Sequence, residues 1–500
     1  MASWIQRLAF FTVNRALMLI GLGLLVLMAT YGVFWWPHPI PKGFSWLVEL
    51  AEWVACLLMS VGYLGVLAVW HRESSSSSQI SQKIPLLIVA ALSMLACVLP
   101  AFHSTDVTGY INRGWQQVAY HTNPYLTVID DIAGWRQDAM FRNHWITNPA
   151  PYGFAFMHVA RALMHLVEKA HGNWLMALLA FKLLMLSATW AVAALVAWAG
   201  RRWLAWPRQQ ALGALMLMMA NPLVLIQGLA NAHNDVLMAL PMMAALALLP
   251  SARWGWLSAP LASLGGLIKL AAWSILPMIL LLQVRFGQWP LLGFGILLSG
   301  LLTLTMAMAY MGDGQWQSWP MAKIAQNATV MHNSLPSLLW YPLEALIKAC
   351  MAILPEHLAG DDALLEGIKR AIKTVFSLAF VASLLAILRH VFRQSGATQT
   401  AMARFQFAVV AALWIQGALI AVFSAKFYPW YCNMFWPLAL WLAPGSRLRR
   451  MTLALTVGQV FAITALGQAH VLNVLLMWVL PLALAWRLDA FLKMDSERLL

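Results

Sequence analysis

Apolar residues in this chain come in unbroken blocks long enough to cross a lipid bilayer, and that feature decides the fold class. Leu17 to Trp36, Trp46 to Trp70 and Ile84 to Phe102 each match the roughly 20 residues of helix that span a hydrocarbon core. Lipid offers no partner for an open backbone N–H or C=O, so such blocks must be helices. The composition agrees: 62% of residues are apolar and only 10% charged, against about 25% charged in soluble domains. The expected fold is all-α and integral to a membrane, with about 14 transmembrane helices (12–14).

The expected spans are 16–36, 47–70, 84–102, 174–200, 209–229, 236–250, 254–268, 271–284, 289–311, 369–388, 405–424, 431–444, 451–467 and 471–487. Segments 236–250, 254–268 and 271–284 are short, with proline or glycine near their ends, and read as tilted or broken helices. Charge then orients the set. With a cytoplasmic N-terminus, the cytoplasmic segments hold 18 basic residues against Glu73, Asp489, Asp495 and Glu497, and the remainder carries 14 of each sign. The net charge of +14 lies on one side, as the positive-inside rule requires. Both termini are therefore expected in the cytoplasm, with the first span an uncleaved anchor. Positive charge spread over short loops also excludes a nucleic-acid partner.

One apolar stretch departs from this map. Reading 336–354 as a span would put Arg389, Arg393 and Arg404 outside, and Glu344 and Lys348 share one helix face. It is expected as a helix lying in the outer interface. The four cysteines show no metal spacing and imply no disulfide framework. Ser74 to Ser78 reads as a cytoplasmic linker. No internal repeat is evident, which argues against a transporter built from repeated halves.

Polar residues concentrate on the outer face, which holds 11 of the 13 histidines, chiefly in two long loops, 103–173 and 312–368. A binding site needs convergent polar groups. The first loop opens with Asp106, Tyr110, Arg113 and Gly114. A carboxylate at a membrane-edge cleft suits a general base; the plainer reading is a helix cap. Asn123-Pro124-Tyr125 and Pro151-Tyr152-Gly153 are rigid turns carrying aromatic faces. Asp130, Asp131 and Asp138 read as solvated charges, with a metal pair at Asp130 and Asp131 the less favoured alternative. Asn221-Pro222 precedes His233-Asn234-Asp235, three polar side chains in an apolar hairpin. These are costly unless they face a cavity or each other, although Asn and Asp also cap helices. Lys269 and Lys426 are lone lysines at outer membrane edges, suited either to snorkelling or to a lipid phosphate. His332-Asn333-Ser334 and Pro429-Trp430-Tyr431 add further polar turns on that side.

The ordered set Asp106/Tyr110/Gly114, Asn123-Pro-Tyr, Pro151-Tyr-Gly, Asn221-Pro, His233-Asn-Asp, Lys269 and Pro429-Trp-Tyr resembles the GT-C glycosyltransferases. More closely it resembles the polyprenol-phosphate-mannose-dependent α-1,6-mannosyltransferases of bacterial lipoglycan assembly. The likeness runs over roughly residues 85–445, with Phe154 where the family pattern leads one to expect proline. It implies a GT-C architecture whose long extracytoplasmic loops carry short amphipathic helices. It implies Asp106 as catalytic base and an inverting transfer of a hexose, mannose in the family, from a polyprenyl-phosphate sugar donor to a glycan or lipoglycan acceptor. Substrate contacts are then expected from Tyr110, Arg113, Asn123, Tyr125, Tyr152, His233, Asn234, Asp235, His332 and Tyr431, and donor-phosphate contacts from Lys269 and Lys426. A divalent metal is left open and no other cofactor is implied. The organisation expected is a two-helix segment 1–83 added to the shared module, a catalytic module 84–311, an outer loop 312–368 with its interfacial helix, and C-terminal helices 369–500.

Two other functions share these features. A transporter or flippase of a lipid-linked sugar would use the same cations, but should also place polar groups deep in the bundle, where Lys182 is the main candidate. A protein O-mannosyltransferase shares the fold and matches these motifs less closely.

Overall fold

The computed structural model describes residues 12–34, 45–73, 83–102, 104–311, 331–353, 362–397, 400–443, 445–462, 470–483 and 485–486. The Ser74–Ser78 linker, both termini and the 312–330 and 354–361 parts of the 312–368 loop lie outside the described residues. Among those described there is no strand. The helices used below are α1 (Val13–Phe34), α2 (Ser45–Glu73), α3 (Lys83–Val98), α4 (Asp106–Ala119), α5 (Phe154–Lys169), α6 (Trp174–Trp203), α7 (Arg208–Met219), α8 (Asp235–Leu248), α9 (Ser258–Ile268), α10 (Leu276–Arg285), α11 (Trp289–Met308), α12 (Leu335–Ile353), α13 (Asp362–Gln394), α14 (Ala401–Ala418) and α15 (Arg447–Phe461).

Five described helices are long and apolar enough to cross a membrane: Val13–Gly32, Trp46–Trp70, Trp174–Trp203, Leu364–Gln394 and Ala401–Phe423. The shorter apolar helices include Lys83–Val98, Asp235–Leu248 and Leu292–Met308. Among the described residues the expected count of about fourteen full spans is not confirmed, and several expected spans are broken. In the 209–229 segment, α7 bends by 65° into a π-helical stretch, Val224–Ala230. The bend falls at Asn221-Pro222, where Asn221 Oδ1 accepts the N–H of Leu223 at 2.9 Å in place of a helical partner. The 271–284 segment starts as a 3-10 turn, Leu270–Ile275, before α10. The 431–444 segment is not a continuous helix: a 3-10 turn, Pro429–Met434, leads to a four-residue helix, Trp436–Ala439. Pro429 and Pro437 each lack the N–H that a helix running through them would need.

The core is one continuous apolar cluster that includes Leu17 and Ile20 of α1, Tyr63 of α2 and Trp436. α1 and α2 approach closely through glycine: a Cβ on Gly62 would stand 2.5 Å from the Ala16 carbonyl oxygen. Small residues permit such contact between membrane helices, where no hydrophobic drive separates helix from lipid. The first long outer loop is itself folded. α4 and α5 pack together, and Ile129, Ile132, Trp135 and Phe141 form a small separate core. Its aspartates are less free than their sequence suggests. Asp130 pairs with Arg136 at 2.8 Å, and Asp138 accepts Trp115 Nε1 at 2.8 Å and Tyr120 Oη at 3.0 Å. α12 occupies most of the expected interfacial helix, with Glu344 and Lys348 paired at 2.7 Å.

Candidate active site

Two acidic residues begin helices that point their N-termini into one place. Asp106 opens α4, yet it is not the cap: Thr105 holds that position, and the Asp106 N–H donates to Ser104 Oγ at 3.2 Å. The Asp106 carboxylate is thus left over from capping. It is about a quarter exposed (26%) and its Oδ2 lies 3.5 Å from Nδ1 of the wholly buried His233. Asp235 opens α8 and is also buried. Its Oδ1 accepts the Lys269 ammonium at 2.7 Å, and Lys269 sits 4.6 Å over the Tyr431 ring.

His233 owes its placement to an unusual turn. The π-helical Val224–Ala230 ends at Asn231, and Ala232 adopts a left-handed backbone with φ +54°. A non-glycine residue held there costs about 1 kcal/mol or more and persists only when its surroundings fix it. The fixing contacts are visible. Asn231 Oδ1 accepts the Phe102 N–H at 3.0 Å, the His233 N–H reaches the Gln227 carbonyl at 3.0 Å, and Tyr110 Oη accepts the Asn234 N–H at 3.3 Å. The His233 ring stacks on Trp430 with centroids 3.8 Å apart, and Trp430 stacks on Tyr428 at 4.4 Å and 3°. Tyr428 in turn meets the His332 ring at 5.7 Å. The Lys426 turn pairs with His332 through backbone bonds, His332 N to Ala425 O at 2.9 Å and Phe427 N to His332 O at 2.8 Å. It also follows a π-helical stretch, Leu419–Phe423.

Several sequence-singled residues stand behind this group rather than in it. Asn123 Nδ2 binds the Tyr310 carbonyl at 2.7 Å, and Tyr125 Oη donates to the Tyr152 carbonyl at 2.8 Å. The Tyr152 ring meets Tyr110 edge-on at 5.1 Å. Gly153 docks the whole turn on the end of α9: its N–H donates to Ile268 O at 3.1 Å, and a Cβ there would lie 2.1 Å from Leu267 O. Lys269 follows directly. Arg113 departs from the expected substrate contact. Its guanidinium is buried and donates to Gln116 Oε1 and to the carbonyls of Trp145 and Asn148, so it holds the loop instead. Lys182 likewise clamps helix ends, donating to the Leu99 carbonyl and to the Ala230 carbonyl at 2.6 Å. Trp430, Tyr428 and His144 were not among the expected contacts. The Pro429-Trp-Tyr motif offered a signal for the first; nothing in the sequence marks His144, which packs against Thr105 at 2.8 Å.

The electrostatics suit a carboxylate kept ionised. Burial alone would raise the Asp106 pKa, but the adjoining His233 ring, then Lys269 and His144, outweigh it and hold the carboxyl below its ordinary value. The α4 N-terminus adds to this by favouring negative charge. Burial pushes the Lys426 ammonium down from its ordinary value. Unlike Lys269, it pairs with no carboxylate among the described residues. The 233–235 turn also holds buried polar atoms with no hydrogen bond in the protein: His233 Nε2, both Asn234 amide atoms and Asp235 Oδ2. Such atoms normally have partners, and sugar hydroxyls can supply them. Among the described residues no three His, Cys, Asp or Glu side chains are grouped to hold a metal ion.

A family model described as "Alpha-(1->6)-mannopyranosyltransferase, N-terminal domain" matches residues 17–285, over half the chain. The match begins inside α1, so the two helices expected as an addition to the shared module fall within it. It ends before the His332 and Lys426 turns. No curated protein and no solved structure matches the chain.

Proposed function

The chain belongs to the alpha-(1->6)-mannopyranosyltransferase family, and we propose that it transfers mannose, with inversion, from a polyprenyl-phosphate donor to a glycan acceptor on the extracytoplasmic face. The observation that carries this is the Asp106 carboxylate, freed from capping, part exposed, and held ionised at the mouth of a buried polar turn. In a single displacement the acceptor oxygen forms its bond to the anomeric carbon while the bond from that carbon to the phosphate oxygen breaks. The hydroxyl proton passes to Asp106, and the lipid phosphate leaves with the electron pair. Attack opposite the leaving group inverts the centre.

Roles follow from surroundings. Lys426, half-buried and without a carboxylate partner, meets the departing phosphate, where a preformed cation is most effective. His233 and Asn234 bind sugar hydroxyls. Lys269 neutralises Asp235 and so holds the α8 N-terminus against the 429–434 turn. Tyr110 and Tyr152 shape the wall between them. The site thus draws on the proposed catalytic module 84–311 and on the C-terminal helices. Lys182 is committed as a structural clamp, which removes the main support for a flippase.

The test is transfer of labelled mannose from synthetic polyprenyl-phosphate mannose to an α-mannan oligosaccharide by the purified chain in detergent. Product with an α linkage from the β-linked donor is expected. No transfer from that donor, with transfer from a nucleotide-mannose, would overturn the reading.

A further inference from the structure

At the far end of α4 lies a cavity of about 510 Å³ lined by Gln117, His121, His158, Arg161, His165 and Glu168 among others. It is separate from the candidate active site. α4 has 14 residues, which puts its C-terminal end roughly 20 Å from Asp106. The α5 residues His158, Arg161, His165 and Glu168 recur at helical spacing and so present one face.

Most polar groups in this cavity are already committed. Gln117 bonds Tyr310 Oη at 2.9 Å and the Arg113 carbonyl at 2.9 Å. The His158 ring bonds the Met306 carbonyl at 3.0 Å, and His165 bonds Glu168 at 3.2 Å. Arg161 differs. In the same outer loop Arg113 and Arg142 are spent on carbonyls and Arg136 on Asp130. Arg161 has no hydrogen bond or carboxylate among the described residues, although it lines a concave site whose nearest carboxylate is already paired. An arginine fork of that kind matches a phosphate.

The apolar surroundings indicate where such a phosphate comes from. α11 leads to the cavity through the His158–Met306 bond. Along it Phe294, Leu297, Leu301, Leu304 and Met308 are all exposed, at spacings that make one stripe. Leu166 of α5 is exposed beside the cavity as well. A pocket holding an exposed guanidinium without a carboxylate partner, at the end of a lipid-facing stripe, suits a headgroup above its own acyl chains. We propose that this cavity binds the phosphate of an anionic phospholipid, with its chains lying along α11.

The experiment is native mass spectrometry of the full chain released from detergent with equimolar phosphatidylglycerol and phosphatidylcholine of identical chains. The parent should retain one phosphatidylglycerol in preference. Arg161→Gln should lower that preference about fivefold, the weight of one basic residue at a lipid surface, and Arg161→Lys should keep most of it. Equal retention of both lipids by the parent, or an unchanged preference in Arg161→Gln, overturns the proposal. If Arg161 serves only to offset the α4 C-terminal dipole, Arg161→Gln will lower thermal stability equally in both lipids and leave the preference intact. Inorganic phosphate at millimolar concentration is the second arm. Stabilisation by it equal to that by phosphatidylglycerol would overturn the lipid source.

Discussion

Replacing Lys269 by methionine separates two roles that its position alone confuses. The sequence suggests a lipid-phosphate ligand; the structure gives the ammonium a carboxylate at 2.7 Å. Removing it strands Asp235, which is 1% exposed at its side chain and whose Oδ2 already lacks a partner. Breaking a buried pair by deleting one partner costs roughly 3–5 kcal/mol. Lys269 is 23% exposed, so water reaches the site and about 2–3 kcal/mol is the better figure. Thermal unfolding in detergent, followed by tryptophan fluorescence, should show Lys269→Met melting several degrees below the parent. Asp235→Asn combined with Lys269→Met removes the stranded charge and should recover about half the loss, a coupling that only direct neighbours show. If Lys269→Met melts like the parent but requires far more donor, the lysine serves the phosphate and its pairing with Asp235 is incidental.

Asp106→Asn should lower turnover roughly a hundredfold or more without changing the melting temperature, since the Asp106 carboxylate caps nothing and its N–H is taken by Ser104 Oγ; parental turnover would remove Asp106 as base. Because its carboxyl lies below the ordinary range, the basic form is lost only as pH falls through that depressed value. The rate should therefore show no Asp106-dependent fall between pH 8 and 5, and a limb near pH 6 abolished by Asp106→Asn would contradict this. Lys426→Met should raise the donor KM about tenfold, the weight of one charged hydrogen bond, with the melt unchanged; an unaltered KM would move the phosphate elsewhere. Gly153→Ala must displace the 151–153 turn from Leu267, costing about 1–3 kcal/mol and most activity; a parental melt would show the contact to be loose. In a Cys350→Ser background, which removes the exposed native thiol, an impermeant maleimide should label Asp131→Cys in intact cells and spare Ser76→Cys. Labelling at Ser76→Cys would reverse the proposed orientation.

Much of the fold was readable because lipid imposes a single local solution. Long apolar blocks such as Trp46–Trp70 and Trp174–Trp203 are helices wherever they occur. Breaks were less readable. Breaks are expected at 236–250, 254–268 and 271–284, whereas 209–229 and 431–444 read as plain spans despite Pro222 and Pro437, because what the chain does at a proline depends on partners such as the Asn221 side chain that takes the Leu223 N–H. The site residues were legible as polar groups that an apolar hairpin does not otherwise tolerate, as with His233-Asn234-Asp235. Their pairings were not. Lys269 and Asp235 are 34 positions apart, and His233 meets Trp430 from nearly 200 positions away, so no local spacing announces either contact. Arg113 shows the converse: a cation in the right loop, spent on carbonyls that only the folded loop brings near.

The candidate site is assembled from turns, and each turn is held in a costly conformation by a neighbour. A π-helical stretch precedes both the His233 turn and the Lys426 turn, and such stretches occur mostly as short interruptions at functional sites. Ala232 and Asn333 both carry positive φ, at 54° and 48°. The Trp430 ring, stacked on His233 and on Tyr428, links the two turns. Neither turn can relax without losing that stack. An imidazole fixed in this way has its orientation set by packing, with Nδ1 turned to Asp106 at 3.5 Å and Nε2 without a partner in the protein. That arrangement explains how a buried histidine with an unpartnered Nε2 is tolerated: the strain and the desolvation are offset by packing elsewhere, and under the proposed function a sugar hydroxyl completes the polar atoms.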